Sequence, residues 1–254
     1  MNMDLTGKVG IVTGAGTGIG RAYAEALATA GAAVVVAEID APNGQETAKN
    51  IVDEGGRAIF VETDVSDERS TQGLAETVVR ELGGIDILVN NAGLWGAATT
   101  GRVTELALDA WEKMMSVNIT GMFLCAKAAA PSMIERGGGA IVNQSSIGAY
   151  MGGATMPHYC TSKGAVSALT RSLAKDLGPE GIRVNAIAPG SIATDATIGH
   201  LSGAGLEKFV GMQCLKRTGQ TDDLTGPLLF LVSDLAKFVT GQVLVADGGV
   251  VFLG

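Results

Sequence analysis

Short runs of Val, Ile and Ala alternate along this chain with longer stretches in which apolar and polar residues mix at helical spacing. The runs at 9–13, 33–37, 58–62, 85–90, 140–144, 183–188 and 242–246 are nearly continuous in apolar residues, the mark of strands buried on both faces. The intervening segments at 19–30, 45–54, 67–82, 109–136, 157–177 and 222–233 have helix-forming composition. Repeated strand–helix units predict an α/β fold: a Rossmann-type, doubly wound parallel sheet of about seven strands, wrapped by helices on both sides. Its functional site is expected at the C-terminal ends of the strands. No linker or repeat divides residues 1–254, so a single domain is expected. Only residues 191–219 depart from the pattern: Gly199, Gly203, Gly205 and Gly211 interrupt a weak helical signal there, which suits a mobile lid or a loose surface insertion.

The first strand runs into Thr13-Gly14-Ala15-Gly16-Thr17-Gly18-Ile19-Gly20, and a helical segment follows. Strand, glycine turn and helix in that order provide what a dinucleotide needs: close backbone approach and a cluster of N–H groups facing the pyrophosphate. The next strand ends at Glu38, eighteen residues after Gly20. A carboxylate there can accept both hydroxyls of an adenosine ribose and would repel a 2′-phosphate, so NAD is the expected cofactor.

Further along, Tyr159 and Lys163 are four residues apart on a helical segment, with Ser146 thirteen residues before the tyrosine. Positions i and i+4 share a helix face. A phenol with a reference pKa of about 10 is a poor acid–base group at neutral pH, and an adjacent ammonium would draw that value down. A drop of about three units corresponds to roughly 4 kcal/mol. Ser146 adds a hydroxyl aimed at the same substrate oxygen. Tyr–Lys pairs of this spacing also arise by chance on helix faces; the glycine turn on the same chain gives this one its weight.

Other positions admit two readings from the residues alone. Asp64 follows a strand and suits either adenine recognition, with the Val65 N–H on a ring nitrogen, or the capping of a helix near Ser66 and Asp67. Asn90 and Asn91 end a strand before Gly93 and fit either loop anchoring beside a cofactor or plain turn chemistry. Asn118 lies within the 109–136 helical segment, where asparagine is a mediocre helix former.

With these residues in order, the chain resembles the short-chain dehydrogenase/reductase family from about Lys8 to Gly249. The resemblance rests on Thr13, Gly14, Gly18 and Gly20, then Asp64-Val65, Asn90-Asn91-Ala92-Gly93, Asn118, Ser146, Tyr159, Lys163, and Pro189-Gly190-Ser191-Ile192-Ala193-Thr194. It implies that Tyr159 transfers the proton, Ser146 positions the substrate oxygen, and Lys163 holds the nicotinamide ribose. It also implies that Asn118 holds a water in the proton relay, and that the segment around Ile192 and Thr194 meets the nicotinamide carboxamide. Ser145 competes for the serine role, but the thirteen-residue spacing to Tyr159 matches the family at Ser146. Gly14, Gly18, Ile19, Gly20, Glu38, Asp64, Val65, Asn91, Ala92, Gly93, Tyr159, Lys163, Pro189, Gly190, Ile192 and Thr194 are the expected cofactor contacts.

The implied activity is NAD-dependent interconversion of a secondary alcohol and a ketone. Two alternatives are a 3-oxoacyl-carrier-protein reductase and a nucleotide-binding regulator with little turnover. Glu38, and the lack of Arg or Lys at Gly16 and Thr17, speak against the first; the intact Ser146, Tyr159 and Lys163 speak against the second. A dehydratase or epimerase is also open, since fold does not dictate reaction. Leu94, Trp95, Gly96, Met151, Gly153 and Met156 are candidates for an apolar substrate pocket, with no preference among aromatic alcohols, polyols and steroids. The resemblance further implies a homotetramer, to which Met122-Phe123-Leu124 and Val250-Val251-Phe252-Leu253 would contribute.

Composition narrows the partners. A net charge of −8 with no basic run disfavours nucleic acid. Three widely spaced cysteines argue against a disulfide framework and point to a reducing, cytoplasmic setting. His158 and His200 are the only histidines, no residues have zinc-site spacing, and no apolar run approaches a membrane span, so neither a metal nor a membrane is expected.

Overall fold

The computed structural model describes residues 3–95, 100–153, 155–200 and 203–253. The chain opens with β1 (Val9–Thr13), α1 (Gly18–Thr29), β2 (Ala33–Glu38), α2 (Ala41–Asp53), β3 (Arg57–Glu62) and α3 (Glu68–Leu82). It continues through β4 (Ile87–Asn90), α4 (Leu108–Met115), α5 (Gly121–Glu135), β5 (Gly139–Gln144), the short α6 (Gly148–Met151) and α7 (Pro157–Leu177). It closes with β6 (Ile182–Pro189), α8 (Asp195–His200), α9 (Gly203–Met212), α10 (Asp222–Val232) and β7 (Val243–Ala246). The seven strands form one sheet in the order β3-β2-β1-β4-β5-β6-β7, every neighbour pair parallel. The order reverses between β1 and β4, which opens a crevice beyond their carboxyl ends.

Strand periodicity divides the core into two layers. Val34 and Val36 of β2 face Tyr23, Leu27, Leu224 and Leu228, from α1 and α10. Ala33, Val35 and Ala37 of the same strand face the opposite layer, with Val78 of α3 and Ala126 and Ala129 of α5. Both faces are covered, and this explains why the strands read as unbroken apolar runs.

The predicted elements are present with small shifts. α2 begins earlier than expected because Asp40 accepts the Asn43 N–H at 3.2 Å and Pro42 sits in its first turn. Asp67, not Asp64, caps α3, accepting from Arg69 and Ser70. The single helix expected over 109–136 is instead α4 and α5 joined by a π-helical turn, Ser116–Thr120. Among the described residues this run, Leu108–Glu135, is the one stretch with the length and mean hydropathy of a membrane-crossing helix, and half of that apolar window is buried within the fold. Within the 191–219 segment, Asp195–His200 and Gly203–Met212 form α8 and α9 beside the crevice.

Candidate active site

The glycine turn is held from several sides. Thr13 Oγ1 accepts the N–H groups of Asn91 and Ala92, both at 3.1 Å, and the Asn91 amide donates to the Thr13 and Gly14 carbonyls at 3.1 and 3.0 Å. Arg21 and Thr47 together bind the Gly16 carbonyl. Two glycines are required by space. A Cβ on Gly20 would lie 2.0 Å from the Gly14 oxygen, and one on Gly14, whose φ is +62°, would lie 2.8 Å from Ala92 Cα. No side chain caps α1, so its leading N–H groups point toward the crevice without a capping partner. Backbone donors in a glycine cradle at a helix start fit a pyrophosphate.

Glu38 stands at the end of β2 and is more than a solvated acid. One oxygen accepts the Gly16 N–H at 2.9 Å; the other accepts from Ile39 at 2.8 Å and Asp40 at 3.1 Å. Its carboxylate therefore also fixes the glycine turn, and it lines the crevice. Asp64 accepts from the backbone and hydroxyl of Ser66 at 2.9 and 2.6 Å, which shapes the loop after β3. Val65 is buried against Gly121 at the start of α5.

Tyr159, Ser146 and Lys163 converge at the end of β5. The Ser146 hydroxyl stands near enough to Tyr159 to favour its ionised form, and it accepts the Gly148 N–H at 3.1 Å. Ser145, the rival by sequence, is buried and donates to the Lys163 carbonyl at 3.1 Å, so it is occupied in fastening α7 to β5. Tyr159 is nearly sealed, and the Trp95 ring lies over it at 4.7 Å between centroids with a 46° tilt. The Lys163 ammonium donates to the Gln144 carbonyl at 2.8 Å and stands 5.8 Å from the tyrosine ring centroid.

This arrangement changes one expectation. Burial raises the Tyr159 pKa to about 12, with the Ser146 hydroxyl pulling weakly the other way. Burial lowers Lys163 to about 8. The predicted depression of the phenol by the ammonium is absent because the lysine is directed at Gln144 and desolvation dominates both groups.

Asn118 occupies the centre of the π-helical turn and is fully buried. Its Oδ1 accepts the Leu94 N–H at 2.7 Å, and its Nδ2 lies 3.1 Å from Ser162 Oγ, which in turn donates to the Tyr159 carbonyl. A π turn inserted in a long helix is a frequent companion of functional sites. Beneath it, the Asn90 amide donates to Asn143, and Asn143 to Thr170. Gln144 escaped the sequence reading: its carbonyl holds Lys163 while its side chain accepts the buried Tyr23 hydroxyl at 3.0 Å. A backbone carbonyl leaves no residue-type signal, so only its place at a strand's carboxyl end pointed to it.

The far wall is the 189–194 segment. Pro189 O accepts the Ile147 N–H, Gly190 packs on the Asp247 backbone, and Thr194 caps the first turn of α8 through Thr197. Together these surfaces bound one cleft of about 1340 Å³. Gly14, Gly18, Ile19, Gly20, Glu38, Asp64, Val65, Asn91, Ala92, Gly93, Tyr159, Lys163, Pro189, Gly190, Ile192 and Thr194 all line it, as does Ser146, while Asn118 lies just behind it. Leu94, Trp95, Met151 and Met156 also line it; Gly153 sits beside it against Cys160, and Gly96 lies outside the described residues.

Comparison with known proteins agrees over the whole chain. A family model described as enoyl-(acyl carrier protein) reductase matches residues 14–251. An uncharacterized oxidoreductase of Mycobacterium tuberculosis is 46% identical over 95% of this chain and 96% of its own length. The L-rhamnose 1-dehydrogenase (NAD(P)(+)) of Azotobacter vinelandii is 42% identical, covering 97% of this chain and 98% of its own. Among solved structures, a 7α-hydroxysteroid dehydrogenase complexed with NADH and 7-oxo glycochenodeoxycholic acid superposes with a TM-score of 0.93 at 37% identity, over 98% of this chain and 96% of that one.

Proposed function

The chain belongs to the short-chain dehydrogenase/reductase family, and on that premise we propose that it prefers NAD(H) to NADP(H) and handles its proton through Tyr159. It is an NAD(P)-dependent oxidoreductase acting between a secondary alcohol and a ketone. The observation that carries the proton role is the convergence of Tyr159, Ser146 and Lys163 in the cleft that begins at the glycine cradle.

The cradle of Gly14, Gly18 and Gly20 with the α1 start would hold the pyrophosphate, and Glu38 the adenosine ribose. Asp64 and Val65 would flank the adenine; Lys163, Ile192 and Thr194 the nicotinamide half. When bound, the nicotinamide gives or takes the hydride. Ser146 fixes the substrate oxygen beside the Tyr159 hydroxyl. Tyr159, a neutral phenol at pH 7, donates its proton to the developing alkoxide in reduction; in oxidation its phenolate accepts the proton of the alcohol. The Asn118 side chain is engaged with Leu94 and Ser162 and so holds the floor of the site. The relay water proposed for Asn118 is then left to its backbone carbonyl.

The carrier-protein alternative fits less well. Three cationic side chains line the cleft, Arg21, Lys113 and Lys163, against six acids, Glu25, Glu38, Asp64, Asp109, Glu112 and Asp195. An acidic carrier would meet repulsion there. Residues 191–219 serve as a lid, supported by Ala196, Thr197 and Phe209 on the cleft wall. A small neutral substrate, no nucleic-acid partner and a cytoplasmic location complete the reading, on the net charge of −8 and the free thiols of Cys125, Cys160 and Cys214.

A homotetramer is also part of the proposal. Met122 and Leu124 are consumed by the monomer's own core, but Phe123, Phe252 and Leu253 remain exposed for subunit contact. A single monomeric mass in light scattering at micromolar concentration would exclude it. The activity itself is tested by a panel of secondary alcohols and ketones followed by NADH absorbance, run with each cofactor. Absence of any turnover with either would overturn the enzymatic reading.

A further inference from the structure

We infer that the substrate is a neutral, apolar carbonyl compound or alcohol bearing a ring, and that Trp95 provides the face on which the ring lies. The inference rests on the proposed function of the cleft and specifies what enters it.

Three observations carry it. Trp95 and Tyr159 are tilted at 46° with centroids 4.7 Å apart, so the two rings form a wedge, not a closed stack. Any group attached to a carbon reacting beside the Tyr159 hydroxyl lies within reach of the indole. A flat ring has large dispersion and quadrupole contact with such a face, and a flexible alkyl chain gains less.

The opposite wall sets an apolar patch beside the catalytic hydroxyls. From Gln144 to Lys163 the cleft lining includes Ile147, Met151, Met156 and Cys160, and its only charged member is Lys163. That ammonium is already bound to the Gln144 carbonyl at 2.8 Å. Along this wall a carboxylate or phosphate on the substrate meets one cation among the described residues, Lys163, whose proposed partner is the nicotinamide ribose.

On this wall a polyol gains little, although Asp109, Glu112, Lys113 and Ser116 line the same cleft from the side of α4. Ser146 and Tyr159 provide hydroxyls for the reacting oxygen, but the methionine and isoleucine side chains beside them offer nothing to further hydroxyl groups. Each hydroxyl buried without a partner weakens binding. Phe209 of α9 adds a third aromatic group to the cleft from the lid side.

The test pairs kinetics with a binding signal independent of turnover. 1-Phenylethanol and 2-octanol have equal carbon counts, and xylitol serves as the polyol. The unmodified protein should favour 1-phenylethanol over 2-octanol in kcat/KM by about tenfold, and xylitol should be poorest. Trp95→Ala should erase the preference by lowering kcat/KM for the aryl alcohol alone, and Trp95→Phe should keep most of it. The chain has two tryptophans, so in a Trp111→Phe background Trp95 is the single indole reporter. Acetophenone should then quench its emission saturably, whereas collisional quenching rises linearly.

If alcohols are oxidised but Trp95→Ala affects both substrates equally, or neither, the inference falls while the enzymatic function stands. If nothing is oxidised yet acetophenone saturates the Trp95 signal, the function falls and the ring site stands. Linear quenching only would overturn the ring site.

Discussion

Lys163 donates to the Gln144 carbonyl at 2.8 Å, and this one bond directs the ammonium at the end of β5 instead of at the phenol one turn away. The same dry surroundings push Lys163 down to about 8 and Tyr159 up to about 12, each toward its uncharged form. A neutral phenol is the form needed to protonate a ketone oxygen. Oxidation needs the opposite form, and the two directions should therefore respond differently to pH.

A buried ammonium costs stability, and its pH dependence has a definite sign. The folded-state pKa of Lys163 lies near 8 and the ordinary value is 10.5. Below about pH 8 both states are protonated and the full penalty applies, about 3 kcal/mol. Between the two values the unfolded chain holds a proton that the folded one has released, so stability rises with pH through this window. Lys163→Met should remove the penalty and lose one hydrogen bond, a net gain of about 1–2 kcal/mol at pH 7, or a Tm rise of about 2–8 °C. The gain should shrink as pH approaches 10.5, and turnover should collapse. Thermal melts at pH 7 and 10 check this; a Met variant less stable than its parent at pH 7 would contradict it.

The glycine turn makes a second prediction. Gly20→Ala places a methyl group 2.0 Å from the Gly14 oxygen and 2.5 Å from the Asn91 amide, in a turn tied down on both sides. Overpacking against backbone costs about 1–3 kcal/mol or more. Gly164→Ala, on α7 with nothing within 4 Å, is the control and should be neutral or slightly stabilising. Urea melts of the two variants should differ clearly in midpoint. Equal midpoints would mean that the turn is more compliant than its contacts indicate.

Much of this molecule is legible before folding because its signals are local. Apolar runs mark β1 and β2, and Pro157 through Leu177 reads as one helix with the bounds α7 adopts. The glycine turn and the Ser146–Tyr159 spacing are equally local and led directly to the cleft. The π-helical turn around Asn118 has no composition of its own, and the contacts of its amide with Leu94, Ser162 and Met114 exist only once the chain is folded. The pKa values are not legible in the sequence for a similar reason. Spacing shows that Lys163 shares a face with Tyr159, but burial and the Gln144 carbonyl are properties of the assembled site.

Cofactor preference turns on Glu38. A 2′-phosphate beside its carboxylate would be repelled by about 4 kcal/mol at 4 Å and an effective dielectric near 20, before screening. Glu38→Ser with Ile39→Arg should shift kcat/KM toward NADP by one to several orders of magnitude. The exchange also removes the acceptor for the Gly16, Ile39 and Asp40 N–H groups, so the variant should lose about 1–2 kcal/mol of stability. Kinetics with both cofactors and a thermal melt separate the two effects. An unmodified protein that uses NADP as well as NAD would reject this role for Glu38.

Tyr159→Phe tests the proton chemistry most directly. The phenyl ring keeps its contacts with Trp95 and Gly148, so the fold and NADH binding should survive. The lost group is the hydroxyl that Ser146 orients. General acid–base catalysis contributes about 10²–10⁴-fold, and kcat should fall by that factor. In the unmodified protein the phenolate is a minority species below about pH 12, so alcohol oxidation should speed up by about tenfold per pH unit across the mildly alkaline range. Ketone reduction uses the phenol, already the dominant form, and should lack that rise. The alkaline limb should vanish in Tyr159→Phe, with NADH titration confirming that the variant still binds its cofactor. Near-normal turnover by an NADH-binding Phe variant would reduce Tyr159 to a packing residue and remove the mechanism built on it.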